Sequence, residues 1–157
     1  MPKAFRDEAR WDGVDFVSVD VGARNKSDQL IYDGYQYATK GERQLAELLS
    51  TLDIPFTPDV PFWLPKPDGK SRLFIPDFGF NRRSYLWYGR RRPLLIHGIE
   101  AKVKTRQGTF SERALENVRL LKEHRTITIL LLSNSQIKHY FNKRRLPLKL
   151  CEPEPSE

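Results

Sequence analysis

From Thr39 onward the spacing of apolar positions changes several times, and each change predicts an element. In "TKGERQLAELLSTL", Leu45, Leu48, Leu49 and Leu52 recur at the three- and four-residue spacing of one helical face, which predicts a helix over about 40–52. "IPFTPDVPFWLPK" is punctuated by prolines, which cannot donate to a β ladder, and reads as an edge strand. Asp68-Gly69 predicts a turn, "RLFIPDFGF" a second strand and "LLIHGIEAKV" a third. After Gly108, Phe110, Ala114, Leu115, Val118 and Leu121 form one stripe of a second helix, with Thr109 or Ser111 as its cap. "TITILLLSN" is apolar without interruption, as expected of a strand covered on both faces, and "SQIKHYFNKRR" predicts a last, basic helix. The order from residue 40 is αβββαβα.

The first forty residues read differently. Val17, Val19 and Val21 alternate with polar residues, and Asp33-Gly34 in "LIYDGYQY" is a hairpin turn. The expected organisation is a β-rich extension over 1–39, a main domain over 40–145 and an acidic tail over 146–157, ending in the disorder-prone "CEPEPSE". A chain of 157 residues has room for one sizeable core.

Charge narrows the class of partner. The net charge is +7, the sequence pI about 9.6, and the excess falls after residue 40. That balance favours polyanions, nucleic acid first and anionic membrane second. No apolar run approaches the ~20 residues of a membrane span, and the polar start lacks the apolar segment of a secretory signal. The single cysteine, Cys151, can form no internal disulfide. The expectation is a cytoplasmic protein without a membrane.

Two charges interrupt the third strand. On a strand Glu100 and Lys102 share a face with Ile96 and Gly98, and a buried unpaired charge costs several kcal/mol, more than the roughly 1.5–3 kcal/mol that burying one Leu or Ile returns. They must be paired or ligated: a structural ion pair is one answer, a functional site the other. Pro76-Asp77 lies on or just beyond the preceding strand. Glu42 sits in the first turn of the first helix, on the face of Leu45 and Leu49, although "TKGE" also matches a capping box in which Glu42 serves the helix end. His97 points to the opposite face and reads as packing.

Glu42, Pro76-Asp77 and Glu100-Ala101-Lys102, in this order and element context, resemble the PD-(D/E)XK nuclease superfamily, over roughly residues 40–134. The resemblance implies an α/β fold with a restriction-endonuclease-like αβββαβ core, its central mixed sheet flanked by helices. It implies a metal-dependent DNA endonuclease that hydrolyses phosphodiester bonds, with catalytic residues Glu42, Asp77, Glu100 and Lys102. Asp77, Glu100, Glu42 and the Ala101 carbonyl would be the metal ligands, and Lys102 would orient the attacking water. Such chemistry uses Mg²⁺, for which Mn²⁺ can substitute, held by one or two carboxylates with waters and substrate oxygens. The Gln-x-x-x-Tyr pattern of RecB-like exonucleases does not follow Lys102, which favours an endonuclease. In pattern the chain is nearest to TnsA-type transposon endonucleases and archaeal Holliday-junction resolvases. Homodimerisation, and recombination or transposition proteins as partners, are the corresponding expectations.

The segment "NRRSYLWYGRRRP" joins the two carboxylate strands. Arginines contact phosphates and aromatics stack on exposed bases, so Arg82, Arg83, Tyr85, Trp87, Arg90, Arg91 and Arg92 are candidate DNA contacts, with Lys104, Lys143, Arg144 and Arg145. Two alternatives compete. One is a catalytically silent DNA-binding module of the same fold, against which all four motif residues argue. The other is an RNase H-like nuclease in which Asp20, ending "FVSVD", holds the metal. No GxxxxGK, HExxH or GxSxG motif supports an NTPase, zinc protease or serine hydrolase.

Overall fold

The computed structural model describes residues 30–81 and 83–151. Asp33 and Gly34 adopt positive φ (51° and 81°) and turn a short hairpin, β1 (Ile31–Tyr32) and β2 (Tyr35–Gln36), as the Asp-Gly pair predicts. The alternating valines before it lie outside the described residues. Helix α1 spans Lys40–Thr51 with Leu52 as C-cap, and its leucine face, Leu45, Leu48 and Leu49, is fully buried.

Prolines shorten the expected strands. The first stretch divides into β3 (Thr57–Pro58) and β4 (Phe62–Pro65), parted at Asp59, whose φ of 52° turns the chain. The second divides into β5 (Ser71–Phe74) and β6 (Phe78–Gly79), parted around Pro76-Asp77. β4 and β5 then pair as a hairpin over the Asp68-Gly69 turn. The arginine-rich segment, expected as a linker, holds β7 (Ser84–Trp87), which pairs with β8 (Leu94–Ile96).

The expected third strand breaks at His97, leaving β9 as Gly98–Ala101. His97 donates its N–H to the Thr128 carbonyl (2.8 Å) and accepts the Thr128 N–H on Nδ1 (3.0 Å), a purely structural clasp. Helix α2 (Glu112–Arg125) is capped by Ser111, and Asn117 replaces the expected Leu115 on its buried stripe; Leu115 is 51% exposed. β10 (Ile129–Leu132) leads through the Ser133 cap into α3 (Asn134–Lys143). Residues expected to begin the acidic tail instead form β11 (Leu148–Cys151), paired with β7.

The architecture is mixed α/β. A four-stranded sheet runs β10-β9-β6-β3, with β10 parallel to β9 and the other pairs antiparallel. As its edge strand, β10 leaves Leu130 and Leu131 half-buried, so it is less covered than its apolar run predicts. A second, antiparallel sheet runs β11-β7-β8. One core joins α1 to both sheets through Leu45, Leu49, Phe78, Phe80, Ile96 and Ile99; a second, with Phe62, Leu64, Phe74 and Leu121, lies under the β4–β5 hairpin. β6 and β9 approach so closely at Gly98 that a Cβ there would meet the Phe78 carbonyl oxygen at 2.2 Å. Among the described residues no helix is long and apolar enough to cross a membrane.

Candidate active site

Three carboxylates converge from α1, β9 and the break between β5 and β6. Glu42 is the third residue of α1 and is buried. Its Oε2 accepts the Thr39 N–H (2.8 Å), and Thr39 Oγ1 accepts the Glu42 N–H (3.2 Å), which completes the capping box. The same side chain is close enough to Asp77 to push the Asp77 carboxyl up. Capping and the site therefore use one carboxylate.

Asp77 occupies the break between β5 and β6, where proline ends one strand and frees the next residue to turn its side chain across the sheet. Its Oδ2 accepts the Ala101 N–H at 2.8 Å, and its carbonyl accepts the Asp59 N–H at 3.0 Å. Burial, then Glu42, then the charge of Glu100 push its carboxyl well above the usual range, against the opposing Ala101 N–H.

Glu100 lies on β9, 4% exposed, with Oε2 buried and lacking a hydrogen-bond partner among the described residues. Burial raises its pKa to about 7; Lys102 pulls it down, while Glu42 and Asp59 push it up. Lys102 is half-buried just past β9, its N–H donating to the Leu132 carbonyl (2.9 Å), so β10 fixes the backbone that carries it. Glu42 and Glu100 thus act on Asp77, and Glu42 and Lys102 act on Glu100, at one end of the four-stranded sheet. Among the described residues, no group of three or more His, Cys, Asp or Glu is arranged to hold a metal ion by itself.

A fourth acid was not expected. Asp59 is buried, receives the Tyr35 hydroxyl as a hydrogen bond, and acts electrostatically on Glu100. In the sequence it sits in a proline-rich run that reads as edge strand, and its partner Tyr35 comes from the separate hairpin. The signal available was an aspartate at a strand break, the same signal that marks Asp77.

The candidate nucleic-acid contacts divide. Arg83, Arg90, Arg91, Arg92, Lys104, Lys143, Arg144 and Arg145 are exposed. Arg82 and Asp20 lie outside the described residues. Tyr85 and Trp87, expected to stack on bases, instead fill the core at 5% and 2% exposure, edge-on to Phe80 and Tyr140. Two positions apart on β7, they share its inward face; Tyr88, just past the strand, is the aromatic that this segment exposes. Arg144 is engaged locally, over the Phe141 ring and 3.4 Å from Glu47. Comparisons with protein-family models, curated proteins and solved structures gave no match.

Proposed function

We propose that the chain is a metal-dependent DNA endonuclease of the PD-(D/E)XK type, with Glu42, Asp77, Glu100 and Lys102 as its catalytic residues. The observation that carries this reading is the gathering of Asp77, buried Glu42 and buried Glu100 near one lysine: burial first, then Glu42 and Glu100, push the Asp77 carboxyl up, and burial first, then Glu42 and Asp59, push Glu100 up against the pull of Lys102. Such a cluster destabilises a fold unless a cation fills it. Within the four-stranded sheet, β3, β6 and β9 pair antiparallel and lie between α1 and α2 in the chain, and the parallel strand β10 follows α2; that order supports the same reading.

The donor set fits Mg²⁺, a hard cation usually held by one or two carboxylates with waters and substrate oxygens rather than by an all-protein cage. Asp77 and Glu100 would hold it, with the Ala101 carbonyl; Glu100 Oε2, buried and without a partner among the described residues, is the atom that most lacks one. When bound, the metal would neutralise the phosphate and lower the pKa of water. Ala101 N–H fixes the Asp77 carboxylate, Lys102 orients the attacking water and offsets developing charge, and Glu42 holds Asp77 from the helix side. The test is cleavage of linear, nicked, branched and single-stranded DNA with Mg²⁺ or Mn²⁺. Cleavage that EDTA abolishes is expected; no cleavage of any substrate would overturn the reading.

Glu42→Gln separates the two uses of that side chain. Glutamine keeps the capping box, so stability should stay within about 0.5 kcal/mol of wild type, whereas loss of a cap costs about 0.5–2 kcal/mol. Cleavage should nonetheless fall at least tenfold, about 1.4 kcal/mol in barrier. Full activity in this variant would leave Glu42 a capping residue only.

Arg90, Arg91 and Arg92 should track phosphates near the scissile bond, being exposed between β7 and β8. Each lost phosphate contact lowers the salt slope of log K by roughly 0.9 for duplex DNA or 0.7 for single strands. Replacing all three by Ala should weaken binding and flatten its salt dependence, with cleavage retained at saturating DNA. Affinity measured across a salt series decides; an unchanged slope would make these arginines ordinary surface.

A further inference from the structure

We propose that Asp59 is a positioning residue that raises the affinity of the site for its divalent cation, supplying negative charge beside Glu100 rather than a ligand atom. The inference rests on the endonuclease reading and assigns a role to a residue outside its motif.

Three observations carry it. Asp59 is 6% exposed at the turn after β3, and its N–H donates to the Asp77 carbonyl, so its backbone fixes the residue that holds the cation. Tyr35, on the separate β1–β2 hairpin, donates its hydroxyl to Asp59 Oδ2, so the carboxylate has a fixed place. Glu100 Oε2 is buried without a hydrogen-bond partner among the described residues, which leaves an acceptor that a cation would satisfy. Asp77 in turn accepts the N–H of Ala101, the residue after Glu100, so the bonded run Asp59–Asp77–Ala101 carries Asp59 to the strand of Glu100, whose carboxyl it raises further.

The hydrogen bonds alone do not require an acid. Asparagine offers an oxygen to Tyr35, keeps the backbone N–H, and tolerates a φ of 52° as aspartate does. Only the charge is specific to aspartate. A buried carboxylate near another is unfavourable without a cation and attracts one when present.

The experiment measures Mn²⁺ binding to the metal-free protein, by titration calorimetry and by the electron paramagnetic resonance of free Mn²⁺, for wild type, Asp59→Asn, Asp59→Gly and Glu100→Gln. Glycine is included because it also accepts positive φ. Both Asp59 variants should stay folded by circular dichroism and bind Mn²⁺ about tenfold more weakly, as expected for the loss of one nearby charge. Wild-type affinity in either folded variant would overturn the inference and leave the endonuclease reading intact. Failure of both variants to fold would make Asp59 structural and overturn it too. Wild-type protein that binds no Mn²⁺, or whose binding survives Glu100→Gln, would overturn the endonuclease reading and this inference with it.

Discussion

Glu100→Gln should yield a folded protein whose metal-dependent cleavage is lost by about 10³-fold or more, because a bound metal contributes several kcal/mol to a transition state of this kind. Single-turnover cleavage at saturating Mg²⁺ measures it, and a rate near wild type would remove Glu100 from the chemistry. The same substitution should change stability in the opposite direction when divalent ions are absent. The Glu100 carboxyl holds its proton up to about pH 7 in the folded chain but only to about 4.5 when unfolded, so stability falls as pH rises between those values. The full penalty, on the order of 3 kcal/mol, applies above pH 7. Denaturant unfolding in EDTA should therefore find Glu100→Gln more stable than wild type at pH 8, with little difference at pH 4. Equal pH dependence in the two proteins would mean that Glu100 bears no such burden.

Gly98→Ala should be the most damaging small change outside the carboxylates. Its Cβ would fall 2.2 Å from the Phe78 carbonyl oxygen, 2.8 Å from Ile129 Cδ1 and 3.3 Å from the Gly79 Cα. Two of these contacts are backbone, so β6 and β9 would have to separate. Overpacking of this kind costs about 1–3 kcal/mol or more, and a loss near 3 kcal/mol would lower Tm by roughly 10 °C in a chain of this size. The displacement would also pull Ala101 N–H from Asp77, the bond that ties the two carboxylate strands together at 2.8 Å. Cleavage should accordingly drop further than the folded fraction explains. A Tm within about 2 °C of wild type would show that the strands have slack at this point.

The helices were legible because leucine spacing and caps are local: Thr39 and Glu42 form the capping box that "TKGE" announces, and α1 ends one residue before its expected limit. The carboxylates were legible because charge inside an apolar strand is expensive, which made Glu100 conspicuous. Strand lengths were not, because each proline run was read as punctuation of one strand when Asp59 and Pro76-Asp77 end one and begin another. Tyr85 and Trp87 were placed outside on the strength of their arginine neighbours. Their two-residue spacing carried the correct signal, since alternate residues on a strand share a face, and the arginines lie mostly beyond its ends. Asp59 carried only the local signal of an aspartate at a strand break, and its meaning depends on Tyr35 and Glu100, which only the folded chain brings near.

The pairing of β11 with β7 bears on the order in which the molecule is built during synthesis. The four-stranded sheet needs no strand beyond Leu132, so in a chain made from the N-terminus every strand that carries or borders its carboxylates precedes β11. The sheet that displays the arginines gains its third strand only when Cys151 has emerged and the chain has closed a long loop back to Ser84. A nascent chain would thus gather the acids first and complete the neighbouring basic surface last.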